Sequence, residues 1–145
     1  MTQLVNISEA VSIALHTMAL LATRRGQRLT NQEIAEMLGA SGNHLAKVMQ
    51  RLVKAGLVDS VSGPRGGFTL GKPAGETSLL AVYEAIEGPL VRRGCLLSEP
   101  ICRGSCCILG EVLDSIHRQL QDYLENTTLA ELAATVSLQG EKSGS

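Results

Sequence analysis

The chain's 145 residues (15.3 kDa) give room for one hydrophobic core, or for a small domain with a dimerisation element, but not for two independent domains. A composition of 44% hydrophobic and 19% charged residues excludes a disordered polyampholyte, and 2% aromatics with no Trp disfavours a β-sandwich, so a mainly α fold is expected. The net charge of −1 conceals a division: Arg24 to Lys72 holds eight basic residues against three acidic ones, +5, and the rest of the chain is −6, so a polyanion-binding face competes with an ordinary solvated surface as the explanation.

Asn6 followed by Glu9 reads as a capping box that opens an almost wholly apolar helix ending near Thr23. Its stretch from Ala10 to Ala22 is interrupted by Ser12, His16 and Thr17 and is shorter than the roughly 20 residues of a membrane span. With no basic flank before it and no cleavage pattern after it, a cytoplasmic protein without membrane partners is expected. His16, in mid-helix on an apolar segment, reads as a hydrogen-bonded core histidine. A second capping box, Thr30 to Glu33, opens a short helix carrying Ile34, Ala35 and Leu38 and stopping at Gly39. Ser41 or Asn43 caps a third helix through Leu45, Val48, Met49, Leu52 and Val53 to Gly56. Periodicity alone fits a helix-turn-helix and an ordinary helical hairpin equally. A strand over 57–61, a turn over 62–67 and a returning strand over 68–70 then make a β-hairpin with Arg65 at its tip, and this order favours a winged helix-turn-helix.

Residues 72–77 read as a linker, 78–87 as a fourth helix ended by Gly88-Pro89, and 92–107 as a loop carrying every cysteine. From Ile108 a long helix runs to about Asn126, with Leu109, Leu113, Ile116, Leu120 and Tyr123 at heptad spacing, which suits packing against the same helix of a second copy, a homodimer. Thr128 to Glu131 opens a last short helix, and 139–145 reads as a frayed tail. The expected organisation is therefore a winged-helix domain over 1–90, a cysteine loop over 91–107, dimerisation and C-terminal helices over 108–136, and a tail over 137–145.

Cys95, Cys102, Cys106 and Cys107 have six, three and no residues between successive members, which is neither a pair of zinc knuckles nor a ferredoxin repeat. With Arg92, Arg93 and Arg103 nearby to lower thiol pKa and offset cluster charge, they suit an iron–sulfur cluster completed by a ligand from elsewhere, while free thiols or a redox disulfide remain the alternative. Ser41, Asn43, His44 and Lys47 open the third helix, where side chains reach base edges; Arg51 and Lys54 further along suit phosphate or plain solvation, and Arg65 suits the minor groove or a phosphate. No P-loop, dinucleotide fingerprint or nucleophile elbow occurs, so neither an enzyme nor a small-molecule substrate is expected.

Ile34-Ala35, Leu45 to Gly56, the wing Gly63-Pro64-Arg65-Gly66-Gly67-Phe68-Thr69-Leu70, the cysteine loop and Thr128-Leu129-Ala130-Glu131-Leu132 together resemble the Rrf-two family of winged-helix regulators, over residues 4 to about 136. The resemblance implies a homodimeric, sequence-specific transcription regulator, read here as a repressor. It also implies contact to a double-stranded DNA operator through the third helix and wing, and a 2Fe-2S or 4Fe-4S cluster sensing redox state, nitric oxide or iron–sulfur status. By the same resemblance Cys95, Cys102 and Cys107 match the family's three ligands, and Cys106 is an alternative to Cys107 or a fourth thiolate. Where family members place a fourth ligand, this chain has Gly110 or Ser8, which leaves Glu9, Cys106 and, behind them, His16 as candidates. Two other readings stay open: a cluster-free regulator of the same fold answering to thiol oxidation or a partner protein, and a small electron-transfer or metal-carrier protein.

Overall fold

A computed structural model describes residues 7–24, 26–90 and 108–142, with the backbone alone for Ile108 and for 137–142. In chain order α1 is Glu9–Thr23, α2 Asn31–Leu38, α3 Gly42–Lys54, β1 Val58–Val61, β2 Gly67–Leu70, α4 Leu79–Glu87, α5 Ile108–Asn126 and α6 Leu129–Lys142. The fold is mainly helical with one antiparallel hairpin, as expected.

Helix α1 forms the centre because its apolar residues recur around most of the cylinder, and Val11, Ala14, Met18 and Leu21 are all buried. Its cap is Ser8, whose extended backbone places Oγ 3.2 Å from the Val11 amide that donates to it; Asn6, the expected cap, lies outside the described residues. His16 is not a core residue. It sits on the exposed face, with Nδ1 2.7 Å from the Ser12 carbonyl oxygen, which can only accept, so Nδ1 carries the proton. The apolar run around it misled the reading, because position 16 faces away from the row of Ala14, Met18 and Leu21.

Helices α3, α4 and α6 pack around α1, and Leu45, Met49, Leu52, Val82 and Leu129 close the core. In the hairpin Val58 lies opposite Leu70 and Val61 opposite Gly67. Leu29 adds a third rung, exchanging hydrogen bonds with Phe68 at 3.2 and 2.8 Å. Gly67 has φ +143, and a Cβ there would stand 2.9 Å from the Leu29 carbonyl oxygen, so this close backbone approach requires glycine. Residues 72–77 are more than a linker: Ala74–Glu76 form a 3-10 turn, Ala74 and Thr77 are buried, and Thr77 Oγ1 donates to the Pro73 carbonyl at 3.0 Å.

The start of α6 is tied to the start of α4 by two bonds, Leu79 N–H to the Thr127 carbonyl at 2.9 Å and Leu129 N–H to the Thr77 carbonyl at 2.8 Å. Helix α6 then lies along α1, so the C-terminal segment shares one core with the winged-helix half. It continues to Lys142, past the start of the expected tail. The cysteine segment, with Cys95, Cys102, Cys106 and Cys107, lies outside the described residues.

Candidate nucleic-acid interface

The angle between α2 and α3 is fixed by a chain of short-range bonds. Thr30 and Glu33 form the complete capping box of α2, with the Glu33 amide donating to Thr30 Oγ1 at 3.2 Å and the Thr30 amide to the Glu33 carboxylate at 3.3 Å. Gly39 ends the helix in the left-handed conformation at φ +64. Ser41, not Asn43, caps α3, accepting from the His44 amide at 3.4 Å. Asn31 Nδ2 donates to the Gly42 carbonyl at 3.1 Å and so ties the first turn of α2 to the first turn of α3.

Leu45, Val48, Met49 and Leu52 give α3 a buried face. The opposite ridge, Asn43, Lys47 and Arg51 at intervals of four, points to solvent. Ser41 is exposed at the same end, where unpaired amides and the helix dipole favour negative charge, and His44 is half-buried beside it. Lys47 lies on the exposed ridge, whereas Arg51 donates from Nη1 to the Ile86 carbonyl at 2.6 Å and leans on α4.

The wing turns through Gly63–Gly66, with the Gly66 amide donating to the Gly63 carbonyl at 2.9 Å and Pro64 at the position its fixed φ suits. Arg65 is exposed at the tip. Its carbonyl accepts from Arg28 Nη1 at 3.1 Å, which sets two cations at one place. Sequence reading passed over Arg28, because its partner is a backbone oxygen 37 positions away and no local pattern marks it.

The second candidate centre is described only at its margin. Glu9 is exposed on the first turn of α1. Beside it the Ser8 hydroxyl donates to the Glu87 carboxylate, which joins the start of α1 to the end of α4, from which the chain leads toward the cysteines. Glu87 also lies one turn from Tyr83; burial first, and then the Glu87 charge, push the Tyr83 phenol above its ordinary value of 10.0. Among the described residues no group of three or more His, Cys, Asp or Glu is assembled for a metal ion, and no helix is long and apolar enough to cross a membrane.

Residues 7–135 match the family model described as "Rrf2: Iron-dependent Transcriptional regulator". The chain belongs to the Rrf2 family. It is 34% identical over 128 residues to a protein of Aquifex aeolicus (strain VF5) named as an HTH-type transcriptional regulator, covering 86% of this chain and 89% of that one. It is 36% identical over 100 residues to the HTH-type transcriptional regulator IscR of Serratia proteamaculans (strain 568), covering 69% of this chain but only 61% of that relative's length. Among solved structures it resembles CymR of B. subtilis, titled the global cysteine regulator, with a TM-score of 0.77, 25% identity and coverage of 90% and 98%. It also resembles the oxidized form of Staphylococcus aureus CymR, with a TM-score of 0.71, 31% identity and coverage of 89% and 96%. This Rrf2 chain is a winged-helix transcriptional regulator of the DNA-binding kind, and these relatives are regulators, not enzymes.

Proposed function

We propose that this Rrf2 protein is a cytoplasmic, homodimeric repressor that reads a double-stranded operator with α3 and the wing and answers to an iron–sulfur cluster. The exposed ridge of α3 beside an arginine-tipped wing carries the DNA reading. Asn43, His44 and Lys47 face base edges in the major groove, Ser41 and the first amides of α3 hold a phosphate, and Arg65, braced by Arg28, enters the minor groove or grips its phosphates. The dimer is supported by α5, where Leu109, Val112 and Tyr123 stand 59%, 51% and 64% exposed on a helix that packs against α4.

The donor set fits an iron–sulfur cluster in its chemistry. Thiolates of Cys95, Cys102 and Cys107 would hold it, with Cys106 or the exposed carboxylate of Glu9 as the fourth ligand, and arginines at 92, 93 and 103 would offset its charge. When bound, such a cluster supplies a centre reactive to oxidants and nitric oxide. The protein's own part is to hold the segment after α4 in one of two arrangements, which differ in the angle they give the DNA-binding half. The family description as iron-dependent supports this reading. The likeness to CymR, one of whose structures is an oxidized form, supports a second: a cluster-free regulator switched by oxidation of the same thiols.

Anaerobic reconstitution separates the two. A brown protein with near-stoichiometric iron and sulfide, whose affinity for a duplex selected from a random pool changes on chelation, carries the cluster reading. A colourless protein whose affinity changes only on diamide treatment carries the thiol reading. A protein indifferent to both treatments overturns the sensory function. A carrier protein is distinguished by lacking steep loss of DNA affinity with salt.

A further inference from the structure

Two side chains from distant parts of the fold converge on the last residues of α4. Arg51, near the C-terminal end of α3, donates from Nη1 to the Ile86 carbonyl oxygen at 2.6 Å, and Ser8, the cap of α1, donates from Oγ to the Glu87 carboxylate. The Ile86 carbonyl is among the last four of its helix, which have no intrahelical donor, so Arg51 supplies one the helix lacks. Arginine suits this position because its charge is permanent and its fork is rigid.

The packing around this bond makes it consequential. Between the ends of α3 and α4 lies an open cleft of about 480 Å³, lined by Arg51, Lys54, Glu84, Ile86, Glu87 and Gly88. Leu52 and Ile86, the neighbours of this bond in α3 and α4, are buried, so at this end the two helices are joined by a charge-assisted bond at the edge of the cleft in addition to their apolar packing. That packing makes the two helices move as one body, and the Arg51 bond extends that hold to the last turn of α4, where the chain leaves for the cysteines. Gly88, at φ +79, turns the chain away from α4 directly after these residues, and the segment holding all four cysteines begins within a few positions.

We propose that Arg51 is a positioning residue that couples the exit of α4 to the recognition helix, not a contact to DNA phosphate. A change of state in the cysteine segment that moves Ile86 moves α3 through this guanidinium. The inference rests on α3 as the recognition helix and on the cysteines as the sensor, as proposed above.

The test uses the full chain, the duplex selected by the wild-type protein, and Arg51→Met. Two quantities are read: the slope of log affinity against log salt, and the ratio of affinities between the two states that differ in the wild type, cluster-loaded against chelated or reduced against diamide-oxidised. A positioning role predicts an unchanged slope and a ratio that collapses toward one. A slope reduced by about 0.9, the signature of one lost phosphate contact, overturns it, as does a ratio that stays at the wild-type value. If Arg51→Met does not fold, Arg51→Gln is read in the same way. Lys47→Met keeps the two levels apart: if it leaves slope and affinity untouched, the reading of α3 as the recognition helix has failed and the role of Arg51 falls with it, whereas if Lys47→Met lowers both, the ratio measured on Arg51→Met judges Arg51 alone. If the wild type shows no state dependence, there is no change for Arg51 to pass on, and the coupling is overturned together with the sensory reading.

Discussion

Helices α1 and α5 are both rich in leucine, valine and isoleucine, yet they stand in opposite relation to the rest of the chain. Along α1, of 15 residues, Val11, Ile13, Ala14, Met18, Ala19 and Leu21 are all buried. Along α5, of 19 residues, Leu113 and Leu124 are buried while Leu109, Val112 and Tyr123 stand more than half exposed. The difference lies in distribution around the axis. A helix apolar around most of its circumference must be covered there, and apart from the strip of Glu9 and His16 α1 is covered by α2, α3, α4, α6 and β2. A helix apolar in stripes is covered by its own chain on one side only, and α5 finds that cover mainly on α4. The heptad row is split accordingly, with Leu113 buried, Leu120 packed against the core, and Leu109 and Tyr123 turned away. Val112, which is not in that row, joins the exposed side.

The sharpest way to break this comparison is truncation at the centre of α1. Met18→Ala, at a site with no exposure, is expected to cost about 3 kcal/mol in denaturant unfolding, because it removes buried apolar volume that α3, α4 and α6 cannot all collapse to fill. A loss under about 1 kcal/mol would mean that α1 is not the rigid centre. The counterpart on α5 is Leu109→Ala combined with Val112→Ala. The protomer's stability should then change by no more than about 0.5 kcal/mol, since both side chains already face solvent. Self-association, followed by sedimentation equilibrium, should weaken by roughly 10- to 100-fold, the usual cost of removing one or two apolar anchors from an interface. A wild-type chain that sediments as a monomer at every concentration breaks the dimer reading outright.

How far the molecule was legible from its residues follows the same division between local and distant causes. The capping boxes at Thr30 and Thr128 are both formed, since each is written within four residues, and the bounds of α5 match their expected positions. What sequence reading missed is held by partners far away in the chain. Leu29 gives no strand signal because it pairs alone, with Phe68; the 3-10 turn at Ala74 follows from burial against α6; and Ser8 serves at once as cap of α1 and donor to Glu87. The site shows the same pattern. The exposed ridge of α3 is readable from its period, whereas the turn of Arg51 toward Ile86 depends on where α4 ends and has no local mark. The cysteines, the plainest chemical signal in the sequence, fall outside the described residues, so their ligation rests on residue chemistry and on the family resemblance.

The smallest expected effect concerns the helix that stands between the two compared. Helix α4 packs on α1 and on α5, and its Tyr83 is 4% exposed. Burial first, and the nearby Glu87 carboxylate second, raise the phenol above 10.0, so the folded state holds its proton more tightly than the unfolded chain. The stability this contributes is fully present below the unfolded value near 10 and is lost as pH rises through the higher folded value. Urea unfolding followed from neutral to strongly alkaline pH should therefore show wild-type stability falling more steeply above pH 10 than that of Tyr83→Phe, which has no phenol to ionise. Glu87→Gln should fall between them, because it removes the charge and leaves the burial. If wild type and Tyr83→Phe decline together, the alkaline loss comes from elsewhere, and burial does not hold the Tyr83 proton.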